Sequence, residues 1–152
     1  MKYKHTQIGH LVIITTLAVV ALFAWAYMTA ANEPASVDSG SNVLVSALMV
    51  STLGFLASFT YLRVSVDEEY VSVIFGYGIY RKRFPLRDIA SVRAVKNHWY
   101  YGWGIKWWPS PNMWIYSVSG FDAVEVILHN GKRYRIGTDE PKQLEEAIKQ
   151  AI

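Results

Sequence analysis

The chain contains no cysteine, so it can form neither a disulfide nor a thiolate metal site. Its few histidines show no His-x-x-x-His or Glu-x-x-His spacing of the kind that holds a metal ion; they are His5, His10, His98 and His129. Phosphate-binding glycine loops and a nucleophile elbow are also missing, and Asp122 and Glu125 would fall on opposite faces of a strand. The sequence therefore predicts a protein without enzymatic activity, metal or cofactor.

Charged residues are absent from two stretches, 11–31 and 43–62. Each has about twenty residues, the length that an α-helix needs to cross the hydrocarbon layer of a bilayer. We therefore predict a membrane hairpin over 1–62, with spans at 11–31 and 43–62 and an outer loop at 32–42. The alternative for the first stretch is a cleaved signal peptide. Trp25 and Tyr27 argue against cleavage, because aromatic residues are typical of the interfacial end of a membrane span.

The charges that flank the two stretches predict the orientation. Lys2 and Lys4 precede the first stretch, and a basic region that begins at Arg63 follows the second. The loop between them carries only Glu33 and Asp38 as charged residues. By the positive-inside rule, both termini lie in the cytoplasm, and we expect a multi-pass protein of a bacterial inner membrane. The formal net charge of +3 suits the face of an anionic bilayer and is too small to indicate nucleic-acid binding.

Small residues recur at helical spacing along one stripe of the second stretch: Ala47, Ser51, Gly54 and Ser58. Such a stripe lets two helices approach each other closely. Packing against the first span is the simpler interpretation, and self-association of the protein is the alternative.

After residue 62 the hydrophobic pattern changes to a period of two, which is typical of strands. Seven strands are predicted, at 63–66, 70–75, 79–84, 90–96, 113–117, 124–128 and 132–136. A helix follows, with Thr138 or Asp139 as its cap and Pro141 in its first turn. Its apolar face consists of Leu144, Ala147, Ile148, Ala151 and Ile152. The fold class is thus α+β and mostly β, with a small barrel or sandwich closed by the C-terminal helix.

The last two strands form a hairpin around Asn130 and Gly131. A two-residue turn would mix apolar and charged side chains on each face, whereas a three-residue loop keeps them apart. We therefore predict a bulge with Gly131 in the left-handed conformation. Val126 then pairs with Tyr134, and Glu125 lies opposite Arg135 on the outer face.

Seven strands followed by a helix is the element order of the pleckstrin-homology (PH) superfold. The runs GWGI (102–105), VSGFDAVEVIL (118–128) and HNGKRYRIGTDEP (129–141), the last followed by Leu144, resemble the bacterial PH-like domain proteins. The resemblance implies a membrane-proximal, non-enzymatic PH-like domain over 63–152. The acidic run at 67–69 stands where phosphoinositide-binding relatives carry basic residues, and it speaks against an inositol-lipid ligand.

Residues 98–116 contain eight aromatic side chains, among them five of the six tryptophans. We predict an irregular loop at 102–111 in which Trp103, Ile105, Trp107 and Trp108 form a membrane foot or a pad for a protein partner. The alternatives are a loop folded back over the end of the barrel and a small-ligand pocket.

Arg81 and Arg83 would share one face of the third predicted strand, with Lys82 opposite. We expect them to contact anionic headgroups. The alternative is a solvated edge, or pairing with Asp88. Together these features predict an interaction module, scaffold or accessory subunit at the cytoplasmic membrane face, with a protein partner or a second copy bound. The alternative function is the sensing of lipid headgroups by the tryptophan-rich loop and the basic strand.

Overall fold

The computed structural model describes residues 3–32 and 39–152, which fold as an α+β protein with most strands in two sheets. The helices are α1 (His10–Ala31), α2 (Ser39–Ala57) and α3 (Pro141–Lys149). The strands are β1 (Tyr3–Ile8), β2 (Tyr61–Val66), β3 (Tyr70–Phe75), β4 (Tyr80–Pro85), β5 (Ile89–Lys96), β6 (Gly104–Pro109), β7 (Asn112–Ser117), β8 (Asp122–Leu128) and β9 (Arg133–Gly137). Short 3₁₀ turns lie at Leu86–Asp88 and Trp99–Tyr101.

The two sheets pack face to face around one main core. Sheet A has the strand order β1-β2-β3-β4, and sheet B has the order β5-β8-β9-β7-β6. All pairings are antiparallel except that of β7 with β9, which is parallel. Side chains from alternate positions of both sheets fill the space between them, among them Leu62, Phe75, Tyr116 and Ile136.

All seven predicted strands are present, and their ends lie within two residues of the predicted ones. The structure adds β1 and β6, which the sequence pattern did not reveal. In β1 the inward side chains include His5 and Gln7. Because these are polar, the sequence pattern does not show the apolar alternation that is typical of a strand. In β6 the neighbours Trp107 and Trp108 hide the alternation, because one large aromatic residue points to each face. The predicted irregular loop at 102–111 is therefore mostly strand.

The β8–β9 hairpin has the predicted register. Val126 pairs with Tyr134, and Glu125 pairs with Arg135. Gly131 has a φ of 84°, and its N–H donates to the Leu128 carbonyl. The three-residue loop with a left-handed glycine is thus confirmed.

The C-terminal helix α3 closes the open side of the core. Leu144 and Ile148 are fully buried, and Glu145 pairs with Lys149 as an i, i+4 ion pair. Pro141 occupies the first turn, as predicted, but the N-cap is Glu140 rather than Thr138 or Asp139. The Thr138 hydroxyl instead accepts the Glu140 N–H in a local turn, and Asp139 is bound to a distant histidine.

The N-terminal segment belongs to the β domain, which revises the division at 62/63. β1 precedes both apolar helices and pairs along its whole length with β2, which follows them. The Gly9 N–H donates to the Thr60 carbonyl across 2.6 Å, where the chain leaves and re-enters the sheet. The two helices are thus an excursion from one corner of sheet A.

Helix α1 matches the first predicted span within one residue, whereas α2 does not match the second. α2 ends at Ala57, because Thr60 closes the junction with Gly9 and Leu62 is an inward core residue of β2. α2 also begins inside the predicted outer loop. Glu33 and Asp38 of that loop, and Lys2 of the tail, lie outside the described residues.

Within the described residues, α1 is the helix that is long and apolar enough to cross a membrane, and none of its residues is buried. The apolar part of α2, Val43–Ala57, is shorter. The two helices contact each other. The small-residue stripe does not lie at this contact, because Ala47, Ser51 and Gly54 are exposed and only Ser58 is buried. The predicted packing of the stripe against the first span is therefore wrong, and self-association through it stays a prediction.

Candidate membrane-proximal interface

Five chain segments meet at the end of the domain from which the helices leave. They are the end of β1, the start of β2, the β3–β4 turn (76–79), the start of β6 and the β7–β8 loop (118–121). The strand pairings place them together, since Ile8 pairs with Tyr61, Leu62 with Phe75 and Phe75 with Tyr80. We call this the helix-proximal end.

Trp103 lies at the helix-proximal end, beside both helices. Its Nε1–H donates to the Gly120 carbonyl at 3.0 Å, and its ring lies 6.0 Å from that of Phe121. With Ile105 it lines an apolar cleft of about 300 Å³, whose other walls include Val12 of α1 and Leu56 of α2. Two of the four predicted contact residues are thus brought together at the base of the helices.

Further apolar side chains surround the same base and were not singled out from the sequence. Tyr77 and Ile79, in the β3–β4 turn, are 75% and 74% exposed. Gly76 allows this turn to lie against the end of α2, because it has a φ of 48° and a Cβ there would stand 2.3 Å from the Ser58 carbonyl oxygen. We call the apolar side chains at this end the collar: Ile8, Tyr77, Ile79, Trp103 and Phe121. The sequence signal for this exposed turn was an aromatic residue between two glycines, at 76–78.

The other two predicted contact residues lie elsewhere. β6 leads away from the helix-proximal end, so Trp107 and Trp108 lie two and three residues beyond Ile105, at about 3.3 Å per strand residue. Trp107 pairs with Trp114 of β7, and both are exposed. Trp108 points to the opposite face, where the centre of its ring lies 4.7 Å from that of Tyr101, with the ring planes tilted by 57°, in a small second core. The four residues therefore do not form one foot.

Arg81 and Arg83 are exposed on the outer face of sheet A, and Lys82 points the other way, as predicted. The strand register places Arg81 in a row with Ile74, Arg63 and Thr6, and Arg83 in the next row with Ser72, Ser65 and Lys4. In the described part of the chain, none of these basic residues forms an ion pair, and Asp88 pairs with Arg87 instead. The outer face of sheet A is thus a basic surface.

The acidic run at 67–69 stabilises the turn in which it lies. The Asp67 carboxylate accepts the backbone N–H groups of Glu69 and Tyr70 at 2.9 Å and 2.7 Å. These hydrogen bonds hold the pKa of Asp67 below its usual value. The carboxylate therefore stabilises the β2–β3 connection.

Glu125 is completely buried between two arginines. Arg93 donates to Oε1 at 2.7 Å, and Arg135 donates to Oε2 at 3.1 Å. Arg135 also donates to Asn97 and lies 5.8 Å from the centre of the Tyr101 ring. Burial raises the pKa of Glu125, but the two guanidinium groups outweigh it and lower the pKa overall. Both carboxylate oxygens are engaged, so this is a structural ion network rather than an acid or base.

His5 ties the N-terminal strand to the loop before α3. Its Nε2 is hydrogen-bonded to Asp139, and its Nδ1 lies 3.4 Å from Glu140. The Tyr3 hydroxyl also donates to Glu140, at 3.1 Å, and burial together with this carboxylate raises the pKa of Tyr3. Over residues 3–32 and 39–152, no three His, Asp or Glu side chains converge as metal ligands would.

Comparison with family models, with curated proteins and with solved structures finds no match to this chain.

Proposed function

We propose that the protein is a membrane-anchored, non-enzymatic interaction module, a scaffold or accessory subunit whose β domain is held at one face of a bilayer by α1 and α2. The observation that carries this proposal is the pairing of β1 with β2 around the helices. Because both helices leave from one corner of sheet A, a chain that crosses the membrane along α1 returns along α2 to the same domain.

The exposed surface of the helices supports the membrane assignment. No residue of α1 is buried, and in α2 large apolar side chains such as Leu48 and Phe55 are exposed. Apolar surface of this extent is stable in hydrocarbon and unfavourable in water, at about 25 cal/mol per Å². The collar fits the same interpretation, because aromatic side chains favour the level of the headgroups.

Charge supports a cytoplasmic location of the domain, and β1 supports retention of the first apolar helix. The domain carries Arg63, Arg81 and Arg83 close to the helices, and the positive-inside rule therefore favours the cytoplasm for both termini. A signal peptide cleaved within the first apolar stretch would take β1 away from sheet A, so the pairing of β1 with β2 speaks against cleavage. The C-terminal helix and the GTDEP run (137–141) support, within this proposal, a PH-like identity for the two sheets.

Topology can be tested with single cysteines, because the natural chain has none to interfere. Lys4→Cys and Asn130→Cys place labels on the domain, and Asn32→Cys places one at the far end of α1. In sealed right-side-out vesicles, an impermeant maleimide should modify only Asn32→Cys; in inverted vesicles it should modify only the other two. Labelling of all three from one side would contradict the proposal.

A second candidate function is contact with anionic headgroups, favoured by the basic outer face of sheet A. Each basic residue near such a surface contributes about 1 kcal/mol. An environment-sensitive dye at Ser65→Cys, in the row of Lys4 and Arg83 and next to the row of Arg63 and Arg81, would report this contact in nanodiscs. Its emission should respond to anionic lipid and lose that response in Arg63→Gln/Arg81→Gln, whereas a dye at Asn130→Cys should not respond. An unchanged emission would rule this function out.

A further inference from the structure

Sheet A ends one strand earlier than sheet B. Its last strand, β4, lies over β7 and β9: the Tyr80 and Tyr116 hydroxyls are 3.1 Å apart, and the rings of Phe84 and Tyr134 are 4.7 Å apart. β6 pairs with the far side of β7 and is the outermost strand of sheet B. Beyond the edge of β4, the inner face of β6 is therefore left without a covering strand.

We call this uncovered recess the step: its wall is the edge of β4, and its floor is the inner face of β6 and β7 at Trp107 and Trp114. The floor is apolar. Trp107 and Trp114 are a directly opposed cross-strand pair, 54% and 42% exposed. They lie on the same face of sheet B as Ile105 and Tyr116, the face that packs against sheet A elsewhere. The Trp107 Nε1–H already donates to Asn112 Oδ1 at 2.6 Å, so the ring presents mainly apolar surface.

The wall of the step is the edge of β4, which has no further strand partner within the described residues. An unpaired edge presents free backbone N–H and C=O groups to any extended segment. The edge of β5, by contrast, is covered by α3, where the Ala94 N–H donates to the Glu145 carboxylate at 3.1 Å.

The charge around the step is positive. β4 carries Arg81, Lys82 and Arg83, β6 carries Lys106, and none of β4, β6 and β7 contains an Asp or Glu. Two β4 edges would bring like charges directly opposite each other, which disfavours pairing with a second copy. An acidic strand is electrostatically complementary to the same edge.

We propose that this step binds an extended acidic segment of a partner protein as a fifth strand of sheet A. The inference rests on the proposed function as an interaction module and names the chemistry of its partner. A strand beside β4 places every second side chain over Trp107 and Trp114 and the others next to Arg81 and Arg83. The matching segment has about six residues, with apolar and acidic side chains in alternation.

The test uses the full chain in neutral-lipid nanodiscs and a short synthetic peptide in which Val and Glu alternate. Binding should slow hydrogen exchange of the β4 amides and leave β1 and β5 unchanged. Arg83→Glu should weaken binding roughly tenfold, and Lys4→Glu, the same charge change at the opposite edge of sheet A, should not. Trp107→Ser should weaken binding likewise, with Trp99→Ser as the exposed tryptophan control on the other face of sheet B.

Three results would overturn the inference. One is unchanged hydrogen exchange of the β4 amides even at peptide concentrations high enough to saturate a weak binding site. Another is equal binding of a peptide in which Lys replaces Glu. The third is quenching of Trp107 by brominated lipid, which would show that the step faces the bilayer. If any of these occurs while Lys4→Cys and Asn32→Cys keep opposite sidedness, the strand site fails and the proposed function stands.

Discussion

Ile8 and Tyr61 lie opposite each other across β1 and β2, although the whole of α1 and α2 lies between them in the chain. Their pairing makes the first strand of the protein an edge strand of a domain that is otherwise encoded after the helices. Tyr3, His5 and Gln7 strengthen this connection by hydrogen bonds to Glu140, Asp139 and the Ser119 carbonyl. The domain is therefore closed only when the segments on both sides of the helices are present.

We predict that a chain joining Gly9 to Thr60 through a short glycine-serine linker, without the helices, folds as the β domain. The Gly9–Thr60 hydrogen bond already holds these two residues adjacent. Fragment 61–152, which lacks β1 but keeps the whole of β2, should lose cooperative unfolding, because the edge of β2 that pairs with β1 is then uncovered. Thermal unfolding followed by circular dichroism distinguishes the two, and equal stability would show that β1 is dispensable.

Glu125→Gln should lower the free energy of unfolding by about 3 kcal/mol, because it leaves the buried guanidinium of Arg135 without its charge partner. Arg93→Gln is the matched control. The Arg93 side chain is 63% exposed and that of Arg135 only 13%, so loss of Arg93 should cost at most about 1 kcal/mol. Denaturant unfolding of the full chain in mild detergent measures both, and similar losses would contradict the network described here.

The same carboxylate predicts a pH dependence. Because the folded state lowers the pKa of Glu125, its ionised form stabilises the protein above the unfolded pKa, about 4.3. That contribution is lost as the pH falls through the lower, folded pKa. The stability difference between the natural chain and Glu125→Gln should therefore be constant near neutral pH and shrink in acid. A difference that is independent of pH down to acid unfolding would contradict this assignment.

Local patterns predicted the strands and the β8–β9 register well, because alternation and Asn130-Gly131 act over a few residues. β1 was not predicted, because its inward residues include polar ones whose partners, Asp139 and Glu140, lie at the other end of the chain. The collar was not predicted for a related reason: Tyr77, Trp103 and Phe121 belong to separate connections that only the strand pairings bring together. Burial of Glu125 likewise depends on the 97–101 segment, which folds over a face expected to be open.

Gly131→Ala should destabilise the protein by about 1 kcal/mol, because a Cβ is disfavoured at the observed φ of 84°. No neighbouring atom would contact that Cβ, so the effect isolates backbone conformation from packing. Gly131→Asn is the control and should cost less, since asparagine tolerates the left-handed region. Thermal unfolding measures both variants, and an alanine variant as stable as the asparagine one would argue against the bulged turn.

Single-tryptophan chains should separate the two aromatic groups by depth. Trp103 lines a cleft with Val12 and Leu56 at the base of the helices, whereas Trp107 lies farther along β6. In nanodiscs with lipids brominated near the headgroups, we expect strong quenching of a chain that keeps only Trp103 and little quenching of one that keeps only Trp107. A chain with only Trp25, toward the far interfacial end of α1, is the positive control for a tryptophan close to the opposite headgroups. Equal quenching of Trp103 and Trp107 would mean that β6 lies flat on the bilayer, and the tryptophans would then form one foot after all.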